Sequence, residues 1–421
     1  MSSIFALVDC NNFYASCERL FDPSLKTTPI IVLSNNDGCV VARSQETKDL
    51  GIKMAVPAFK IQDLIEQHHI RVFSSNYALY GDISARVMAT LESLAPEIEC
   101  YSIDEAFLNL TGFGAIASLD EYGQKIRNTI RKNVGVPVCV GIAPTKTLAK
   151  LANYAAKSYA ATHGVVNLTE TERQKRLMAI TPIKEVWGVG RRTCEKLERL
   201  GVKTVLQLSQ MDTERARKRF SINLVKTIDE LNGIERYTLE DQPATRQQLM
   251  VSRSFAERMT DYAPLRSTVC EFAARAAERL RGERLVCSTV NVFIRSSLFN
   301  SSEPRYSNAA TAKLSTPASD SRAIIKTASV LFDSIWKEDY RYAKAGVLLG
   351  EICEKDKVQL SLFSENQDDN NDLMSVIDNI NQGGKGKIWF GGQRGQQDWF
   401  MRRAHLSPAY TTRWEDLPVA K

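Results

Sequence analysis

Histidine is scarce in this chain, four residues in 421, and two of the four are the neighbours His68 and His69. That excludes a histidine-built zinc centre. Cysteine is present as nine scattered residues, an odd number, with no pair in metal-ligand spacing. A zinc ribbon and a disulfide framework are thereby excluded, and the thiols read as buried and free in a reducing, cytoplasmic setting. No apolar run reaches the ~20 residues that span a bilayer. The N-terminus lacks the basic and apolar regions of a secretory signal. No repeat is visible, and Gly383-Gly384-Lys385-Gly386-Lys387 lacks the spacing of a phosphate loop, so it reads as linker or partner surface. What remains is an ordinary globular composition, with material for roughly two to four domains.

The net charge of +6 is unevenly spread. Residues 243–350 hold 16 Lys and Arg against 10 Asp and Glu, which is the whole excess; the rest of the chain balances to zero. A basic segment beside a neutral one suits a grip on a polyanion such as nucleic acid.

The informative carboxylates lie in the neutral part. Residues 4–8 form an apolar run ending at Asp9, and residues 98–102 and 106–110 are apolar segments flanking Asp104 and Glu105. Successive side chains of a strand point to opposite faces, so both acids can serve one site only at a tight hairpin or bulge. A fold that joins these strand ends gives an oxygen-only set suited to Mg²⁺ and substrate phosphates, hence to phosphoryl transfer.

Periodicity predicts a helix at 12–20, strands at 29–34 and 39–43 joined by the Asn-Asn-Asp-Gly turn, a short helix at 47–50 and a long one at 82–94. A helix at 119–134, a strand at 136–142 and a helix at 147–156 follow. Strands and helices alternate as in a split βαβ sandwich with helices on one sheet face. Short helices surround Trp187-Gly188-Val189-Gly190, residues 241–252 read as a linker, and a second α/β unit carries helices at 264–281 and 321–336. A polar acidic run after Phe363 reads as flexible.

Three blocks in order, VDCNNFYASCE, SIDEAF and GIAPTKTLAKLANYAAK, resemble the Y-family translesion DNA polymerases. VWGVGRR, CEFAARAAERLR and LSPAYTTR extend the resemblance to the UmuC type, found as the catalytic subunit of DNA polymerase V. The resemblance implies an α+β, right-hand polymerase. Its ferredoxin-like palm would be residues 1–20 and 82–170, its small fingers 21–81 and its helical thumb with a helix-hairpin-helix 171–240. An α/β little finger would cover 243–353, and a clamp- and partner-binding tail 354–421.

The implied activity is error-prone, template-directed synthesis past lesions in the SOS response. Asp9, Asp104 and Glu105, with the main-chain carbonyl of Cys10, would hold two Mg²⁺ ions. Tyr14 would be the steric gate against a 2′-oxygen, beside Phe13. Gln45, Lys48, Tyr80 and Lys157 would hold the nucleotide triphosphate; Gln45 and Lys48 stand where Tyr and Arg are common in the family. Gly188, Gly190, Arg191 and Arg192 would bind a DNA phosphate through main-chain amides. Arg253, Arg275, Arg279 and Arg295 would make salt-sensitive backbone contacts.

Gln359, Leu360, Ser361, Leu362 and Phe363 resemble the sliding-clamp peptide of bacterial polymerases. Implied partners are primer-template DNA and dNTP, the clamp, a processed UmuD-type dimer and RecA, with no membrane. Two competing readings remain. A nucleotide cyclase on the same palm explains the acids but not the basic segment; a non-catalytic clamp- and DNA-binding replication regulator explains the basic segment but not the acids.

Overall fold

The computed structural model describes residues 3–115, 118–240, 245–300, 302–358, 371–383, 386–393 and 401–417. The chain forms two compact units, Met1–Gln242 with Arg403–Lys421, and Pro243–Arg402.

In the first unit the order is β1 (Phe5–Cys10), α1 (Phe13–Arg19), β2 (Ile30–Leu33), β3 (Val40–Arg43), α2 (Gln45–Asp49), α3 (Gln62–Gln67), β4 (Arg71–Ser74) and α4 (Tyr77–Glu92). Then come β5 (Ile98–Cys100), β6 (Glu105–Asn109), α5 (Leu119–Asn133), β7 (Val138–Ala143), α6 (Lys146–Ser158) and β8 (Val165–Asn167). A five-stranded sheet runs β5-β6-β1-β7-β8. Its central strand β1 is antiparallel to both β6 and β7 and buried along its whole length.

Full burial of β1 requires cover on both faces of the sheet. Ala6 and Val8 share a core with Val87 and Leu91 of α4 and Ile126 and Ile130 of α5. Phe5 and Leu7 pack instead with Leu148 and Leu151 of α6. Helices therefore cover both faces of the sheet, not one. An apolar strand buried on two faces reads as a continuous run and does not say how many layers enclose it. On the α6 side the approach is so close that a Cβ at Gly141 would run into the backbone of Ala149, Ala152 and Asn153.

A smaller sheet, β3-β2-β4, pairs β2 antiparallel with β3 and parallel with β4. Asn36 and Asp37 take left-handed φ values of 61° and 51° in the expected turn, a backbone region that Asn and Asp tolerate best after glycine. α4 begins at Tyr77, earlier than expected, because the Asn76 side chain accepts from the Leu79 amide and caps it. It thus crosses the expected fingers–palm boundary at residue 81.

Five helices follow: α7 (Thr171–Ile180), α8 (Arg191–Arg199), α9 (Val205–Ser209), α10 (Thr213–Arg219) and α11 (Ile222–Leu231). Leu177, Leu197, Leu208, Leu224 and Ile228 join the core of Phe5 and Leu7, so this helical layer is anchored through α6.

The second unit has β9 (Gln248–Met259), α12 (Tyr262–Gly282), β10 (Leu285–Ser296), β11 (Ser307–Ala318), α13 (Ser321–Ile335), β12 (Tyr342–Glu354) and α14 (Asn371–Gln382). Its antiparallel sheet runs β11-β10-β12-β9, with α12 and α13 packed on its core. β9 starts inside the stretch expected to be linker; Leu249 and Val251 are buried while Met250 is exposed, the alternation of a half-buried strand. The expected tail is divided: α14 and residues 386–393 belong to this unit, whereas residues 403–417 belong to the first. The clamp-like residues 359–363 and the acidic run after them lie outside the described residues.

Candidate active site

The register sets Asp9, at the end of β1, opposite Glu105, the first residue of β6. Between β5 and β6 the chain turns tightly, as the two acids require. Ser102 Oγ accepts from the amides of Asp104 (3.3 Å) and Glu105 (3.1 Å) and donates to Asp104 Oδ1 (2.7 Å). The amides of Tyr101 and Ser102 both donate to the Glu105 carbonyl at 3.0 Å, and Cys10 N–H donates to the Asp104 carbonyl at 2.9 Å.

Asp9 is 7% exposed. Burial pushes its carboxyl up to about 7, Glu105 adds to the rise, and Lys157 opposes it. Lys157 forms an ion pair with Asp9, and Lys150 donates to both Glu105 oxygens at 3.1 Å. Among the described residues no group of three or more His, Cys, Asp or Glu side chains forms a ready-made metal cage. The donor chemistry nevertheless fits a hard divalent cation: two facing carboxylates, one starved of solvent, and a third one residue away. Burial raises the Cys10 thiol far above the usual range, so its carbonyl is the atom with metal-ligand chemistry there.

Asn12, at φ 49°, turns the chain from β1 into α1. Phe13 sends its ring into the core, 4% exposed. Tyr14 is half-buried and comes near Asp104; burial first, then Tyr77 and Asp104, raise its hydroxyl. The Tyr80 ring is fully buried behind Tyr14, and its hydroxyl donates to Glu18 at 2.6 Å. The two rings stack at 4.3 Å with an interplanar angle of 16°.

The cations converge. Lys48 is held below the usual lysine range by burial, then by Arg43 and Lys157, with Asp9 pulling the other way. Arg43, not singled out in the sequence, thus lies near Lys48, with its guanidinium donating to the Ile52 carbonyl. Gln45 is exposed and its amide donates to Asp49. Lys150 was also missed, though a signal existed. Lys146, Lys150, Asn153 and Lys157 are spaced four, three and four, which is one face of a helix. They bind Glu99, Glu105, the carbonyls of Leu7 and Cys139, and Asp9 in turn, so α6 lays a polar edge along the strand ends.

Elsewhere the expected residues are less concentrated. Gly188 takes φ +87°, and Gly190 precedes α8 without a side-chain cap, leaving its first amides uncapped by a side chain. Arg191 and Arg192 are exposed there, Arg191 paired with Glu195. Trp187 turns back to donate to Tyr101 of the acidic hairpin at 3.1 Å. In the second unit Arg295 is the direct strand partner of Lys344, on the side of the sheet away from Ile294 and Ala345. Arg253 pairs with Ala345 and lies on the core side, while Arg275 pairs with Glu271 and Arg279 is exposed on α12. The four arginines therefore do not share one face.

The impB/mucB/samB family matches residues 8–154, the impB/mucB/samB family C-terminal domain residues 246–362, and a domain of unknown function (DUF4113) residues 371–420. Protein ImpB of Salmonella typhimurium is 49% identical over 99% of this chain and 100% of its own length. Protein UmuC of Salmonella typhimurium strain LT2 is 48% identical over 98% of this chain and 99% of its own. DNA polymerase IV of Bacillus velezensis is 27% identical over 89% of each. Among solved structures, a Y-family DNA polymerase chimera of Dbh and Dpo4 aligns over 83% of this chain and 99% of its own, at TM-score 0.67 and 20% identity. At nearly half identity from end to end, the chain belongs to the impB/mucB/samB family, that of the UmuC-type Y-family DNA polymerases.

Proposed function

We propose that this chain is a DNA-directed DNA polymerase that copies past lesions with low fidelity during the SOS response. The observation that carries this reading is the facing of Asp9 and Glu105 across β1 and β6, with Asp104 in the adjoining turn and Tyr14 in the first turn of α1. Asp9, Asp104, Glu105 and the Cys10 carbonyl would hold two Mg²⁺ ions, which when bound supply charge neutralisation and a more acidic primer 3′-hydroxyl. The chain's own work is positional. Lys48, Lys157 and Arg43 bring cationic charge to the place where a triphosphate would lie. The Tyr14 ring would occupy the space of a 2′-oxygen. Uncapped amides at the start of α8 and the Arg295–Lys344 pair suit sequence-independent phosphate contact.

Low fidelity follows from the size of the segment at residues 21–81, too small to wrap a nascent pair. A sliding clamp would take Gln359 to Phe363, and the UmuC-type relatives suggest a UmuD-type dimer and RecA as further partners. Among the described residues no helix is long and apolar enough to cross a membrane; a cytoplasmic location suits a polymerase.

Primer extension past an abasic site, with Mg²⁺ and four dNTPs and with each partner added or withheld, tests the reading. Bypass should vanish in Asp104→Asn while DNA binding persists. Equal synthesis by that variant, or DNA binding with no synthesis under any partner set, would leave the non-catalytic regulator as the better description.

A further inference from the structure

The C-terminal segment packs behind Tyr14. Ala404 N–H donates to Asp37 Oδ2 at 2.8 Å. His405 exchanges two bonds with Ser74 at the end of β4: its carbonyl accepts from the Ser74 amide at 2.9 Å, and its amide donates to Ser74 Oγ at 3.0 Å. Asn76, the residue that caps α4, donates to the carbonyl and hydroxyl oxygens of Ser407 at 3.1 and 3.0 Å. Tyr410 stacks on Phe21 at 4.6 Å and 16°. The segment is thus fastened on both sides of Ser407.

At its centre, Ser407 Oγ donates to Glu18 Oε1 at 3.1 Å, the same oxygen that accepts from the Tyr80 hydroxyl at 2.6 Å. Glu18 is 2% exposed, and its hydrogen-bond partners among the described residues are these two hydroxyls. A carboxylate buried without a cation depends on its hydrogen bonds, so it holds both donors tightly. Stacking alone lets one ring slide over another, whereas a ring anchored at its hydroxyl cannot. Tyr80 is anchored in this way and lies flat against Tyr14.

We propose that Ser407, Glu18 and Tyr80 are positioning residues for sugar selection: the C-terminal segment, acting through Glu18, fixes Tyr80 as the rigid backing against which Tyr14 excludes a 2′-hydroxyl. This rests on the reading of Tyr14 as the steric gate. It gives residues 403–410, which fall within the match to a domain of unknown function, a task in substrate choice.

The test is single-nucleotide insertion by the full-length protein with its partners, comparing kcat/KM for a dNTP and the matching rNTP on an undamaged template. Tyr14→Ala should collapse the ratio. Ser407→Ala and Glu18→Gln should each lower it by about three- to tenfold, the effect of one weakened bond to a buried carboxylate. The change should come from improved rNTP insertion, with dNTP insertion retained, and Ser407→Thr should restore the ratio. If Tyr14→Ala collapses selection while Ser407→Ala and Glu18→Gln keep the original ratio, the positioning proposal fails and the gate stands. An equal fall in both insertions marks a merely structural role and also overturns it. An unchanged ratio in Tyr14→Ala removes the gate and the proposal together.

Discussion

Glu230 offers a quantitative test of how the helical layer is fastened to the central sheet. It lies near the end of α11, is fully buried, and its carboxylate serves two segments at once. Oε2 accepts from the Thr147 amide at 2.9 Å, in the first turn of α6, where the Thr145 cap takes only the Leu148 amide, while Oε1 accepts from the amides of Arg236 (2.7 Å) and Tyr237 (3.1 Å). A negative charge at a helix start is also favoured by the helix dipole.

Hydrogen bonds to a charged group contribute about 1.5–3 kcal/mol each, but the three share one carboxylate and are not additive. Water can reach Arg236 and half-exposed Tyr237 after truncation, but Thr147 is 2% exposed and its amide would be stranded. We therefore expect Glu230→Ala to cost about 3–4 kcal/mol and Glu230→Gln, which keeps one acceptor but turns an amide NH₂ toward N–H groups, about 2 kcal/mol. At roughly 2–4 °C per kcal/mol, the alanine variant should lower the Tm of this unit by about 6–16 °C. Calorimetry measures the shift, and hydrogen exchange should show the Thr147 amide losing protection. A fall below about 2 °C with Thr147 still protected would show that solvent or neighbouring groups replace the carboxylate, refuting the fastening role.

Three further outcomes follow. Gly141→Ala should cost about 3 kcal/mol or more, because the added methyl meets the α6 backbone, which cannot rotate away; a soluble variant with an unchanged melting curve would contradict this. Glu18, pushed up to about 6 from 4.5 chiefly by burial, binds its proton more tightly in the folded state. Its contribution is therefore present below pH 4.5 and lost as pH rises through 6, about 2 kcal/mol in all. The stability of the natural chain relative to Glu18→Gln should fall by that amount between pH 4 and 7, and a difference that is flat or rising in urea titrations would refute it. Arg281 donates twice to Asp378 and also to the Ser319 carbonyl and Ser321 hydroxyl, pinning α14 to α12. Arg281→Met should release about 2 kcal/mol of local stability and speed amide exchange across α14 about thirtyfold, with unaltered exchange arguing that apolar contacts hold the helix alone.

Much of the first unit was legible because local chemistry and tertiary need agree there. The apolar run into Asp9 made a strand, and two consecutive acids serving one site demanded a hairpin, which Ser102 supplies with its hydroxyl. The Asn-Asn-Asp-Gly turn, α5 and α6 lie close to where periodicity predicts them. What was not legible has specific causes. Tyr80 and Phe13 carry aromatic rings equally suited to a core or a ligand, and only the layers around α1 and α4 put them inside. Lys150 is an unremarkable cation until α6 brings it to Glu105, and Arg43 until β3 sets it near Lys48. Strand pairing separates Arg253 from Arg295, because side chains on neighbouring strands share a face only when the register aligns them.

The sequence by itself determined the family, the three carboxylates, the basic segment at 243–350 and the alternation of strands and helices, since each is written in residue type and short-range spacing. The tertiary structure alone decided that helices enclose the central sheet on both faces, that lysines of α6 neutralise the acidic strand ends, and that residues more than three hundred positions apart meet at Glu18. Burial, register and long-range hydrogen bonding depend on which surfaces meet, and no local pattern around Ser407 announces that its hydroxyl will reach the carboxylate behind Tyr80 and Tyr14.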